Sequence, residues 1–178
     1  MNYPGMNNNQ YNPGQQNSMM NIYQLTSETQ FNLNTSAVLI KSFGKTMPGH
    51  VSPAEYQSLK QCVQKWQQIF FVYDKDRSGT ISMEELNKIL CDSGYRIQPE
   101  TVRSIVSFSL KLQKQGQHQS MVPVNDLNFD TLIFTAFVLE RMTSKFKMHD
   151  NQRNGIATYN YDDYIRDVTE IIDFCGVL

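Results

Sequence analysis

Residues Asp74 to Glu85 read D-K-D-R-S-G-T-I-S-M-E-E, and no other stretch constrains the chain as strongly. Asp74, Asp76 and Ser78 place side-chain oxygens at positions one, three and five, and Gly79 permits a sharp turn at six. Thr80 offers its backbone carbonyl at seven, Ser82 stands at nine, and Glu85 closes the run at twelve with a carboxylate that can bind through both oxygens. An oxygen-only set at this spacing suits a hard cation that takes about six to eight oxygens, so the run reads as a calcium loop. The flanks agree. Tyr56, Leu59, Val63, Trp66, Phe70 and Tyr73 fall at helical steps before it, and Leu86, Ile89 and Leu90 follow it. The expected cofactor is Ca2+, held by Asp74, Asp76, Ser78, Thr80, Ser82 and Glu85.

Composition excludes several other functions. The 178 residues carry 16 Lys plus Arg against 17 Asp plus Glu, with no long basic run, which disfavours nucleic acid as a partner. Cys62, Cys91 and Cys175 are odd in number and lack metal spacing, as expected of buried thiols in a reducing compartment. Neither a secretory-type leader nor an apolar run of about 18 residues is visible, so the expected location is cytoplasmic. None of these cysteines, nor His50, His118 or His149, stands in a nucleophile motif, and no Gly-rich phosphate loop is present. The chain is not expected to be an enzyme.

Residues 1–22 are rich in Asn, Gln, Gly, Pro, Tyr and Met and carry no charged side chain, which reads as a disordered tail before a domain spanning 23–178. Within the domain, parts of the calcium loop recur. Ile81 followed by Ser82 is an apolar residue followed by a small polar one that can cap a helix, and the same step occurs at Leu25-Thr26, Val51-Ser52, Leu127-Asn128 and Ala157-Thr158. Each is read as half of an EF-hand, the helix–loop–helix unit built on such a loop. Val51 to Ile81 and Leu127 to Ala157 are both 30 residues apart, which leaves room for only one helix between successive loops. Pro53 to Val72 and Phe129 to Lys147 are therefore expected to be helices shared between neighbouring hands, the second with Phe129, Leu132, Ile133, Ala136, Phe137 and Phe146 on one face.

Five hands with helices shared at these places resemble the penta-EF-hand family, which includes sorcin, grancalcin, peflin and the small subunit of calpain. The resemblance runs from about Leu25 to Asp167. It is strongest at Trp66 to Leu86 and Ser93 to Ile97, and continues at Val138 to Met142 and Asp150 to Tyr161. It implies an all-α fold with short two-strand pairings between loops.

The departures from the family pattern concern the ligands. The first hand, near 23–33, keeps only an exit half, with Ser27 and Gln30 set as a capping box. The second loop, 44–55, keeps Glu55 but offers Gly44, Thr46 and Pro48 at positions one, three and five, and the fourth hand, 110–131, is expanded by the polar run Lys111 to Ser120. The fifth loop, 150–161, is a weak second metal candidate with Asp150, Gln152, Asn154, Ile156 and Thr158 in ligand positions, but Tyr161 stands where a bidentate acid belongs and Asp162 and Asp163 lie just beyond. In the family the fifth hand pairs with another chain, so the resemblance implies a homodimer or heterodimer through Tyr161, Tyr164, Ile165, Val168, Ile171 and Ile172. The expected function is a calcium sensor or adaptor that rearranges its helices and engages a protein target, a membrane, or a vesicle or granule surface. The alternatives are a regulatory subunit of an enzyme and a calcium buffer.

Overall fold

The computed structural model describes residues 19–113 and 126–176. Among them the chain forms seven helices and two short antiparallel strand pairs. Strand β1 (Met20–Asn21) leads into α1 (Ile22–Thr29) and α2 (Leu33–Phe43), and β2 (His50–Val51) leads into α3 (Pro53–Tyr73). Then come β3 (Thr80–Ser82), α4 (Met83–Asp92), α5 (Pro99–Gln113), β4 (Asp126–Asn128), α6 (Phe129–His149) and α7 (Tyr161–Cys175).

The strands pair the hands in twos. Met20 lies opposite Val51, and Ile81 opposite Leu127, so hand one meets hand two and hand three meets hand four. The paired Val51, Ile81 and Leu127 are almost completely buried, so each strand pair also fills the core between its hands. Both shared helices form as expected. Pro53 occupies the first turn of α3, where its missing N–H has no helical partner to lose, and Ser52 and Glu55 close a capping box. Asn128 caps α6 by accepting from Thr131 N–H.

Aromatic rings at the centre join the hands. Phe129 at the start of α6 meets Phe70 of α3 edge-on at 5.4 Å and Phe31 at 5.8 Å. Leu132, Ile133, Ala136 and Phe137 line the same buried face of α6, whereas Phe146, expected there, is 38% exposed near the helix end. A polar clamp fastens the start of α2 to the end of α5. Asn34 and Asn32 side chains donate to the carbonyls of Leu112 and Gln113, which lack helical partners at the end of α5, and Gln113 in turn donates to Thr35 and Asp130.

Three expectations need correction. The ordered domain begins before residue 23, because Met20 and Asn21 pair with β2 and Ile22 is already helical. The helix-opening step of the first hand is Met20-Asn21 rather than Leu25-Thr26. Asn21 accepts from Tyr23 and Gln24 N–H and forms the capping box with Gln24, while Leu25 is a buried mid-helix residue and Gln30 ends the helix with a positive φ of 60°. An apolar residue followed by a polar one also occurs inside any amphipathic helix, and that is what Leu25-Thr26 is. Thirdly, Ala157-Thr158 does not open α7; Asn160 does. The expected tail, apart from residues 19–22, and most of the expansion in hand four lie outside the described residues.

Candidate metal site

The loop between α3 and β3 wraps around Asp74, which is only 2% exposed. Its Oδ1 accepts from Ser78 N–H at 2.9 Å and its Oδ2 from Gly79 N–H at 3.1 Å. Those bonds require the backbone to fold back on itself. Arg77 and Gly79 provide this with φ of 57° and 81°, and Gly79 does so without the steric penalty a side chain would carry. Ser78 then sits among the other expected ligands. Its N–H also donates to Asp76 Oδ1 at 3.1 Å, and its Oγ lies 3.2 Å from the Thr80 carbonyl oxygen and 3.4 Å from Asp74 Oδ1. Hydrogen bonds from Ser78 hold the Asp76 carboxyl below its ordinary range, so it stays anionic. Asp74, Asp76, Ser78 and the Thr80 carbonyl thus gather hard oxygens in one place, and this donor set fits calcium.

Glu85 and Ser82 are occupied differently. Ser82 caps α4, and Glu85, three residues on, returns its Oε2 to Ser82 N–H at 2.9 Å and to Ser82 Oγ at 3.1 Å. The glutamate therefore holds the first turn of α4. Among the described residues no group of three acidic, histidine or cysteine side chains is gathered closely enough to hold an ion.

Loop two is closed by its own glutamate. Glu55 Oε1 accepts from Lys45 N–H, Thr46 N–H and Thr46 Oγ at 2.8–2.9 Å, and Oε2 accepts from Ser52 N–H at 2.7 Å. Led by the Ser52 backbone, these donors pull the Glu55 carboxyl down to about 2. At position one there is no room for a ligand, since a Cβ on Gly44 would lie 2.1 Å from the His50 carbonyl oxygen. Donors from the protein thus take the place an ion would fill.

Loop five copies loop three and then departs from it. Asp150 accepts from Asn154 and Gly155 N–H at 3.0 and 2.9 Å, and Arg153 and Gly155 have φ of 52° and 83°, matching Arg77 and Gly79. After the glycine the paths differ. The cap Ser82 comes three residues after Gly79, but the cap Asn160 comes five after Gly155, so the fifth loop is two residues longer. The place equivalent to Glu85 therefore falls to Asp163, which donates its N–H to Asn160 Oδ1 and accepts from Asn160 Nδ2 while pairing with Arg166. Tyr161 is 77% exposed, Ile156 is 69% exposed, and the Thr158 N–H bonds to the His149 carbonyl. Asn160-x-x-Asp163 was the sequence signal that marked the true start of α7.

The fifth hand is braced by charge. Asp167 and Lys145, both nearly buried, lie 3.0 Å apart, and Asp167 also bonds His149 at 3.0 Å. The Lys145 hydrogen bond holds the Asp167 carboxyl below its usual range. His149 stacks on Tyr159 at 4.1 Å, which meets Tyr164 edge-on. On the outer side of α7, Tyr161, Tyr164, Ile165 and Ile172 are exposed and Val168 is half-buried, while Ile171 packs partly against the chain's own core.

A family model described as "EF-hand domain" matches residues 65–94, the third hand. Sorcin from Mus musculus is 29% identical over 141 residues, covering 79% of this chain and 65% of sorcin. Peflin from Xenopus laevis is 29% identical over 141 residues, covering 46% of peflin, and the calcium-binding protein CBP of Oryza sativa subsp. japonica is 30% identical over 135 residues, covering 44% of that protein. The chain thus spans less than two thirds of the length of these relatives. A solved homologue of programmed cell death 6 protein from Leishmania major Friedlin has the same fold, with a TM-score of 0.65 at 20% identity over 86% of this chain and 85% of that one. Paired strands, loop conformation and sequence similarity agree: the chain has the penta-EF-hand fold, and its sequence is similar to calcium-binding proteins of that family.

Proposed function

We propose that the chain is a calcium-responsive adaptor whose third hand, with Asp74, Asp76, Ser78, the Thr80 carbonyl, Ser82 and Glu85 as ligands, controls what its helices present to a partner. The observation that carries this reading is the gathering of Asp74, Asp76 and the Thr80 carbonyl around Ser78, with Glu85 anchored in the first turn of α4. Calcium supplies a hard positive charge that draws carboxylate and carbonyl oxygens into one shell. The chain's own residues turn that into movement. Glu85 must release Ser82 to join the shell, and its backbone opens α4, whose Leu86, Ile89 and Leu90 are buried against the other helices. A shift of α4 therefore disturbs apolar packing and can uncover it.

Assembly and location belong to the same proposal. The exposed Tyr161, Tyr164, Ile165 and Ile172 form an unpaired apolar stripe suited to a second chain, identical or related. The proposed location is the cytoplasm, with peripheral, calcium-dependent contact with a membrane; no helix among the described residues is long and apolar enough to cross one. Catalysis plays no part in it, and the work is done by binding.

The test is capture of partners from a cell extract with calcium and with a chelator, using the full chain and Glu85→Ala. An adaptor gains partners with calcium, and the variant gains none. Partners held equally under both conditions would indicate a constitutive subunit instead, and their absence under both would indicate a buffer.

A further inference from the structure

A groove of 630 Å3 opens on the solvent side of α3, walled by Gln64, Gln68, Phe71 and Val72 and floored by Phe129 of α6. Phe71 and Val72 are 55% and 66% exposed, a large apolar surface to leave in water on a helix whose other face is core. The Arg77 guanidinium stands 6.0 Å over the Phe71 ring at one edge. No described residue lining the groove carries a charge. Its chemistry is aromatic and aliphatic carbon interleaved with side-chain amides.

We propose that this groove is the docking site of the chain's own residues 1–18, so that the tail masks a surface three residues from the first calcium ligand. The proposal does not depend on which residues hold the ion. Three observations select this occupant. The first is composition: residues 1–18 carry no charged side chain and consist largely of Asn and Gln with Tyr3, Pro4, Met6, Tyr11 and Pro13. Tyr and Met supply apolar surface for Phe71 and Val72, and Asn and Gln offer donors and acceptors that match Gln64 and Gln68. A charged segment would find no counter-charge in the lining and would lose solvation there.

The second is reach. The described chain starts at Met19, and Met20 is pinned to Val51 beside the N-terminal end of α3. From Pro53 to Val72 the helix climbs about 30 Å at about 1.5 Å per residue. About nine extended residues span about 30 Å, so Tyr11 just reaches the groove, and Tyr3 reaches it with slack. The third is tethering. Held this close, the tail meets the groove at an effective concentration on the order of millimolar, so a weak contact is enough. Because Phe71 and Val72 closely precede Asp74, a docked tail and a changed third loop influence each other.

The experiment is heteronuclear NMR on the full chain. The expected result is cross-relaxation between the Tyr3 or Tyr11 rings and Phe71 or Val72, with displaced amide signals at Gln64, Gln68 and Val72 when both tyrosines are changed to Ser. Val72→Asp should abolish the cross-relaxation. Val72 is well exposed, so the fold should survive, and Phe71→Ser provides a second variant judged by the same signals. If the double tyrosine substitution leaves the groove amides unmoved, the tail does not dock there and an uncharged segment of another protein becomes the better occupant. A mixed sample of differently labelled chains completes the test, since cross-relaxation found only between copies would place the tail on a second molecule and overturn the proposal.

Discussion

Glu85 Oε2 accepts from both the N–H and the Oγ of Ser82, at 2.9 and 3.1 Å, the capping bond that the second and third loops share. Glu55 makes the same bond to Ser52 N–H, but its second oxygen is also taken by Lys45 and Thr46. On the proposed reading, Glu85 would give up only its cap on Ser82 to reach an ion. Glu55 would give up a whole loop.

The first prediction concerns stoichiometry. Calorimetry should find one strong calcium site per chain, lost in Glu85→Ala and kept in Glu55→Ala and in Asp163→Ala. Retention of the strong isotherm in Glu85→Ala would move the site to another loop.

Protonating Glu55 should loosen the second hand in a defined pH window. Its carboxyl is lowered from the ordinary value of 4.5 to about 2, so the folded state favours the charged form. The stabilisation is therefore complete above about pH 4.5 and fades as pH falls toward 2. Melting temperatures measured across that window should fall less steeply for Glu55→Gln than for the unaltered chain, because the amide removes the titrating group. Parallel slopes would mean that the bonds from Ser52, Thr46 and Lys45 to Glu55 do not stabilise the fold.

The central rings give a packing prediction. Phe129 is 1% exposed and touches Phe31 and Phe70, so Phe129→Ala should cost about 3–5 kcal/mol in denaturant unfolding. A loss below about 1 kcal/mol would show that the hands meeting at this ring are not held together by it.

Much of this organisation was legible in the sequence because its signals are local. The oxygen donors of loop three sit within one short stretch, and the caps at Ser52, Ser82 and Asn128 each fall one step after a buried strand residue. What escaped reading depended on distant atoms or on competing copies of one signal. Leu25-Thr26 imitated a hand because a buried Leu followed by a polar residue suits a helix interior equally well. Thr158 imitated the cap of α7 more closely than Asn160-x-x-Asp163 did, and the conformation after Gly155 shows the two added residues that shift the role to Asn160 and Asp163. The self-closure of loop two by Glu55, and the burial of Lys145 with Asp167 across 22 residues, require coordinates. Single positions do not carry such information.

The last prediction concerns assembly. Along α7, Tyr161, Tyr164, Ile165 and Ile172 face solvent while Asp167, Phe174 and Cys175 face inward, so the helix has a complete inner face and an additional apolar outer one. An outer face of that kind loses its unfavourable hydration when a second chain covers it. Ile165→Asp combined with Val168→Asp places two charges in that stripe and should give monomers in sedimentation where the unaltered chain gives dimers. The inner face and the Lys145–Asp167 pair remain untouched, so circular dichroism and the strong calcium isotherm should stay unchanged. Dimers persisting in a folded double variant would locate the contact away from α7, and monomers in the unaltered chain at every concentration would assign the stripe to a different kind of partner.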